Sequence, residues 1–198
     1  MTSFPFYVLA DESPGKARIL QEGLRLFATK GLASTSIRDI GEAAGLTNPA
    51  LYKHFATKTD LALVLFERCY REHLRRLTSA TQSSESARDK LGAFVLTSLE
   101  AFDEDPNAAI FVVDNLTTLW PDVAVALKHR TAITILREVL ETGRKEGIVS
   151  KQQEIELQVS IVVGLIGQIM RQVHLGTFQS SAASFSPSAV KMLEKALA

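Results

Sequence analysis

Residues 36–55 read SIRDIGEAAGLTNPALYKHF, a run typical of two short helices joined by a tight turn. The spacing of its apolar residues predicts a first helix over residues 37–44. Ser36 followed three residues later by Asp39 has the form of a capping box, with Asp in the place that Glu or Gln usually takes. Gly45 predicts a left-handed C-cap. The chain is therefore expected to turn sharply in the middle of this run.

The second helix of the run is predicted over residues 49–55, and it is too short to be stable alone. Pro49 favours its first turn, where a missing N–H costs nothing. Gly41, Gly45 and Leu51 have helix-turn-helix spacing: a small residue for a close crossing, a glycine for the turn and an apolar residue that packs the second helix on the first. Small and hydrogen-bonding groups then point outward, which suits a DNA groove and phosphates.

The longer run TSIRDIGEAAGLTNPALYKHFATKTDLALVLFE closely resembles the TetR-type one-component transcriptional regulators, over about residues 16–67. The residues that carry the resemblance are Gly31, Thr35, Ser36, Ile40, Ala44, Gly45, Leu46, Thr47, Leu51, Tyr52, His54, Phe55 and Lys58. The resemblance implies an N-terminal three-helix DNA-binding domain and a C-terminal helical domain for effector binding and dimerisation. It also implies a homodimer that reads a palindromic operator in double-stranded DNA.

Position and resemblance together predict the DNA contacts. Hydroxyl and N–H groups at helix N-termini suit phosphates. Lys58 begins a helix, where the helix dipole disfavours a cation unless an anion such as phosphate lies nearby. Tyr52 and His54 match phosphate contacts of the family. Lys53 is expected to donate to guanine, and Asn48 to adenine or a phosphate. The full set is Thr35, Ser36, Arg38, Thr47, Asn48, Pro49, Ala50, Tyr52, Lys53, His54 and Lys58. The alternative for any one of them is a capping or solvated surface residue.

The composition is that of an ordinary globular protein. Of 198 residues, 46% are hydrophobic and 22% are charged, with a net charge of zero. DNA binding must therefore come from local charge. The single cysteine, Cys69, rules out an internal disulfide and fits a reducing compartment, the cytoplasm. No membrane span is expected. Residues 1–15, which lack Lys and Arg, are predicted to be a flexible arm that docks on the protein surface, and the alternative is simple disorder.

The rest of the pattern is helical, so the fold class is all-α, with the helix-turn-helix domain at residues 16–60 and an effector-binding and dimerisation domain at 61–198. Helices are predicted over 16–30, 57–77, 88–103, 107–119, 121–145, 155–175 and 186–197. The polar stretch 78–86 is the clearest boundary, and 177–186 is predicted to be a loop.

A dimer interface is predicted on the most apolar helix, where apolar residues alternate four and three apart like a coiled-coil seam. The resemblance adds the last helix, which gives a symmetric four-helix contact. The predicted residues are Ile155, Val159, Val162, Ile166, Ile169, Val173, Val190 and Leu193. Ser160, Gly164 and Gly167 form a strip of small residues that permits close approach. The alternative is that the seam belongs to the intrachain core.

A cavity for a small apolar effector is implied by the resemblance to ligand-responsive repressors. Its predicted lining is Phe94, Phe102, Phe111, Asn115, Trp120, His129 and Met170. The alternative is an ordinary filled core. Because no catalytic constellation and no metal-ligand spacing occur, we expect no enzyme, metal or cofactor.

The function predicted from these patterns is sequence-specific DNA binding by a transcriptional repressor. The rival interpretation is a helical ligand-sequestering or protein-interaction module without DNA function, which the neutral charge and the arm without basic residues favour.

Overall fold

The computed structural model describes residues 5–198, so residues 1–4 of the predicted arm lie outside the described residues. The described chain is helical and contains no strand, which confirms the all-α prediction. Its α-helices are α1 Pro14–Lys30, α2 Ile37–Ala43, α3 Asn48–Tyr52, α4 Lys58–Gln82, α5 Ala87–Glu104, α6 Pro106–Leu119, α7 Val125–Lys128, α8 Ala132–Glu146, α9 Ile155–His174 and α10 Ser186–Leu197. Short 3-10 helices occupy Trp120–Asp122 and Ala182–Phe185.

The described chain forms two compact units, and we treat each by itself. The first contains the chain up to Glu72 together with Asn107–Val125, and the second contains His73–Pro106 and Ala126–Ala198. The sequence-based boundary at residue 60 falls inside α4, because no breaker interrupts that helix before Gln82. Most of α6 belongs with the first unit, since Phe111 stacks on Phe27 with 5.6 Å between ring centroids.

The helix-turn-helix is built by local signals that act as predicted. Ser36 and Asp39 form a reciprocal capping box at the start of α2. Gly45 follows α2 with a φ of 65°, a conformation that favours glycine. A Cβ added to Gly41 would lie 3.2 Å from the carbonyl oxygen of Leu46, so the close crossing requires a glycine there. Leu51 is fully buried and holds α3 on α2, a contact whose loss to alanine costs about 2–5 kcal/mol.

The described part of the N-terminal arm is packed on the protein, which agrees with the docking that was predicted and differs from the predicted flexibility. Tyr7 and Val8 are buried. The Arg68 guanidinium, from α4, donates to the carbonyl oxygen of Tyr7 and to both carboxylate oxygens of Glu12, at 2.8–2.9 Å. Lys16 completes the cluster at 2.9 Å from Glu12. Composition alone did not predict this, because the partner Arg68 lies far along the chain.

The Glu12 cluster predicts a pH-dependent stability. Burial tends to raise the pKa of Glu12, but hydrogen bonds from Arg68, Lys16 and the Leu9 N–H outweigh it and lower the pKa from 4.5 to about 2. Because the folded-state pKa is lowered, this stabilisation is complete above about pH 5 and is lost as the pH falls toward 2. We expect Glu12→Gln to lower the free energy of unfolding by up to about 3 kcal/mol at pH 7.

The measurement is urea denaturation of wild type and Glu12→Gln at pH 7, 5, 4 and 3. Exposed Glu85 provides the matched control, since Glu85→Gln removes the same charge outside this cluster. A difference between wild type and Glu12→Gln that stayed constant over this pH range would rule out the ion cluster as its source.

The second unit is organised around α5, which packs against α8, α9, α10 and the 3-10 helix Ala182–Phe185. The single helix predicted over 121–145 is wrong. Thr131 and Thr134 form a capping box that starts α8, so the chain before it bends and forms only the short α7. The prediction missed this cap because Thr is an unusual residue at its third position. Among residues 5–198, no helix has both the length and the apolar character that crossing a membrane requires.

Candidate nucleic-acid interface

The second helix of the motif, α3, exposes most of the residues predicted to read DNA. The Tyr52 side chain is 52% exposed. Thr47, Asn48, Pro49, Lys53 and His54 are also exposed, and Ala50 is half-buried. Because Leu51 anchors the opposite face, the short helix is held in one orientation. The result is a compact group of donors and small residues on a rigid support, which suits contact with base edges and phosphates.

The two N-caps of the motif differ in how far their hydroxyls are engaged. The Ser36 hydroxyl accepts from the Asp39 N–H at 3.1 Å and donates to the Asp39 carboxylate at 2.7 Å. The N–H and hydroxyl of Ser36 hold the pKa of Asp39 below its usual range. Thr47, in contrast, makes no side-chain cap hydrogen bond to α3. Asn48 does not simply face outward, since its amide oxygen lies 3.2 Å from where a Cβ on Gly41 would be.

Arg38 is exposed on α2 and pairs with Glu42 at 2.8 Å. The hydrogen bond and charge of Glu42 raise the pKa of the Arg38 guanidinium. An ion pair this exposed contributes little to stability. A phosphate is therefore able to compete with Glu42 for the guanidinium.

Thr35 and Lys58 have partners other than the predicted phosphate. Thr35 is buried, and its hydroxyl donates to the Gly31 carbonyl oxygen at 2.8 Å. The Lys58 ammonium donates to three carbonyl oxygens, of Leu32 at 2.7 Å, Ala33 at 3.4 Å and Thr35 at 2.8 Å. The anomaly of a cation in the first turn of a helix is therefore resolved within the chain, by partial negative charges of the loop after α1. We assign both residues to the support of the motif rather than to its surface.

Most residues of the seam predicted for dimerisation on α9 are buried within their own protomer. Val159, Val162, Ile166 and Ile169 are buried within the second unit, and Leu193 of α10 is 1% exposed. Ile155, Val173 and Val190 are half-buried. The periodicity marked the inward stripe of the helix, so the prediction for the buried residues is corrected to intrachain core.

The outward stripe of α9 is a different set of small and apolar residues. Leu157 is 57% exposed, and Val163 is exposed on the same helix. A Cβ added at Gly164 or Gly167 would meet nothing within 4 Å. Met192 is exposed on α10. The signal that pointed here in the sequence was the strip of small residues, not the apolar seam.

The residues predicted to bind an effector are divided between the two units. Phe111 and Asn115 line a cavity of about 570 Å³ in the first unit. Trp120 packs edge-on against Tyr70, with ring centroids 5.5 Å apart. In the second unit, Phe94, Phe102 and Met170 are buried and His129 is exposed. The sequence missed Lys30, Asp114 and Thr118, which share the cavity with Phe111 and Asn115. Within residues 5–198, no three or more His, Cys, Asp or Glu side chains are grouped to hold a metal.

Comparison with known protein families agrees with this geometry. Residues 19–65, which span α1 to the first part of α4, match the family described as bacterial regulatory proteins, tetR family. A transcriptional repressor of Rhodococcus jostii strain RHA1, KstR2, is 31% identical over 160 residues, which cover 75% of this chain and 76% of the relative. The repressor ComR of Escherichia coli strain K12 is 31% identical over 121 residues, covering 58% of this chain and 57% of the relative.

Solved structures share the fold over nearly the whole chain. The ketosteroid transcriptional regulator KstR2 of Mycobacterium tuberculosis superposes with a TM-score of 0.79 at 18% identity, covering 96% of each chain. The regulator FadR from Bacillus subtilis, solved in complex with stearoyl-CoA, gives a TM-score of 0.74 at 16% identity and covers 92% of this chain and 100% of its own. At these identities the likeness concerns the fold alone.

Proposed function

The chain belongs to the tetR family of bacterial regulatory proteins and is a DNA-binding transcriptional regulator, and from this premise we propose that it is a homodimeric repressor that a small apolar effector releases from a palindromic operator. Its named relatives are regulators, which are not enzymes. The rival interpretation, a sequestering module without DNA function, finds no support in them.

One observation carries the DNA-binding part of the proposal. The anchored helix α3 keeps Tyr52, Lys53 and His54 exposed on one short segment, while Leu51 is fully buried beneath them. A helix of this length has no stability of its own, so its rigid presentation depends on the first unit. Such a helix enters the major groove in helix-turn-helix proteins, with its first residues against base edges.

The outward stripe of α9 supports the dimer part of the proposal. Gly164 and Gly167 leave the backbone open to close approach, and the apolar side chains of Leu157 and Val163 flank them. A second copy that packs the same stripe against this one forms a symmetric interface. Two heads related by that symmetry read two copies of one half-site, which is why a palindromic operator is proposed.

The effector part of the proposal is supported by the family and by a cavity in the first unit that includes Phe111 and Asn115. A repressor has one form that fits the operator and one form that does not. An effector that binds the second form more tightly than the first shifts the population toward the second form and so releases the repressor from DNA. The relative FadR of Bacillus subtilis was solved with an acyl-CoA bound, so effectors with apolar bodies occur on this fold.

A gel shift with the promoter region beside the protein's own gene tests the proposal. We expect a discrete complex that weakens steeply with salt, because phosphate contacts release counterions. Unlabelled promoter DNA should compete far better than random DNA of the same length. If no genomic fragment gives a salt-sensitive and sequence-preferring complex, the chain is not a repressor of this kind.

Substitution of Lys53 separates base reading from phosphate binding. Lys53→Ala is expected to change the ranking of operator variants, by about 1–3 kcal/mol at the base pair that it contacts. Tyr52→Ala is expected to weaken binding to every variant alike, since a phosphate contact carries no base information. Fluorescence anisotropy on a panel of single-base operator variants measures both. Lys195→Ala, an exposed lysine on α10, serves as the control. If Lys53→Ala lost the same affinity for every operator variant, Lys53 would not read a base.

A further inference from the structure

A cavity of about 570 Å³ lies within the first unit, bounded by the end of α1, the loop after it, the start of α4 and one side of α6. Its accessible apolar surface is formed by Ala28, Leu32 and Ala33, and the buried side chains of Phe27, Ile110 and Phe111 lie behind it. The volume is that of a small-molecule site. Neither the recognition surface on α3 nor the outward stripe of α9 contributes to its lining.

The polar groups of this cavity favour an anion. Lys30 and Lys58 are two cations in the lining, against the single carboxylate of Asp114. The Asn115 side-chain amide donates one N–H to the Phe111 carbonyl oxygen at 2.9 Å, and its second N–H is able to donate to a ligand. Apolar walls with cations and amide donors suit a molecule that has an apolar body and a negatively charged end.

We infer that this cavity binds a small organic carboxylate with an apolar body, and that the carboxylate competes for the Lys58 ammonium. Lys58 now donates to the carbonyl oxygens of Leu32, Ala33 and Thr35. A carboxylate carries a full negative charge, so in a partly desolvated site it attracts the ammonium more strongly than a neutral carbonyl oxygen does. Asn115 and Lys30 orient the same carboxylate, while its apolar body covers Leu32 and Ala33.

Departure of the Lys58 ammonium from these carbonyl oxygens affects the DNA-reading surface through a short stretch of chain. Residues 32–35 lead without interruption into Ser36, the N-cap of α2. When the carbonyl oxygens lose their donor, the loop and the start of α2 loosen, and α3 rests on α2. The ligand therefore favours a head that fits the operator less well, which is a shift between two populations. This consequence rests on the proposed function, whereas binding of the carboxylate does not.

Binding is tested on the full-length protein with 4-phenylbutyrate as the probe and neutral 4-phenylbutyramide as its matched control. We expect saturable shifts of the backbone amide signals of residues 31–35 and of the Asn115 side-chain amide in ¹H–¹⁵N NMR spectra. The amide control should bind about tenfold more weakly, because a neutral amide attracts the Lys58 ammonium less strongly than a carboxylate does. Absence of saturable shifts, or equal affinity for the two probes, would overturn the assignment.

Two variants locate the site. Thr118→Trp fills the cavity from its exposed edge on α6 and should abolish the shifts, while Thr117→Trp, next to it and outside the lining, should leave them unchanged. Lys30→Glu reverses a charge at the edge and should weaken binding of the carboxylate but not of the amide. Shifts that persist in Thr118→Trp would assign the ligand to another place and refute the inference.

Anisotropy with labelled operator DNA tests the consequence. Saturating 4-phenylbutyrate should raise the dissociation constant for DNA by about tenfold in wild type and Thr117→Trp, and should have no effect in Thr118→Trp. Failure of the unliganded protein to bind any DNA would refute the proposed function while the NMR result stands. DNA binding that does not respond to a carboxylate bound in the cavity would refute the competition for Lys58.

Discussion

Replacement of Gly164 with arginine is expected to convert the dimer into monomers and to weaken operator binding by at least about 100-fold. A Cβ at Gly164 meets nothing within 4 Å in the protomer, so the large side chain points away from the core of its own chain. In the proposed dimer it would collide with the same stripe of the partner, because that arrangement brings the two α9 backbones close together. The loss of DNA affinity follows because one head then binds one half-site without help from the other.

Sedimentation velocity measures the oligomeric state, and anisotropy measures the operator affinity. Gly92→Arg is the matched control, because Gly92 also lies within a helix and also has open space at its Cβ. Arginine favours a helix over glycine by about 0.5–1 kcal/mol, so neither substitution should destabilise the helix that carries it. A Gly164→Arg protein that remained dimeric and bound operator normally would exclude the outward stripe of α9 as the interface.

The second large effect concerns Lys58. Its substitution should lower the free energy of unfolding of the protein and not only its affinity for DNA. Lys58→Met keeps an apolar stem of similar length and removes the ammonium that serves three carbonyl oxygens. Two of these hydrogen bonds, to Leu32 and Thr35, are part-buried. We expect the free energy of unfolding to fall by about 2–4 kcal/mol, since a buried acceptor left without its donor costs about 1–3 kcal/mol.

Urea denaturation without DNA measures this effect, with Lys30→Met as the control because Lys30 is an exposed lysine near the same loop. Operator affinity should fall for all sequences alike, as the support of α2 is weakened. If Lys58→Met unfolded like wild type and lost only DNA affinity, the ammonium would be a phosphate contact after all, as the sequence had suggested.

The helix-turn-helix could be predicted from the sequence because its signals are local. The Ser36–Asp39 capping box, the turn at Gly45 and the buried Leu51 lie within sixteen residues of one another, and each acts through neighbours three to six positions away. The helical class of the whole chain followed from the same short-range patterns. The family resemblance rested on these residues too, and the comparisons support it.

Only the tertiary structure decided which face of a helix is buried and which residues have partners far away in the sequence. Periodicity identified the apolar residues of α9, but this helix is apolar nearly all round, and only packing in the second unit buried Val162 and left Leu157 exposed. The sequence predicted that Lys58 contacts a phosphate. In the structure its acceptors are carbonyl oxygens of the loop after α1, 23–26 residues earlier in the chain. Such contacts leave no short-range pattern, because they depend on where the fold brings together segments that are far apart in the sequence.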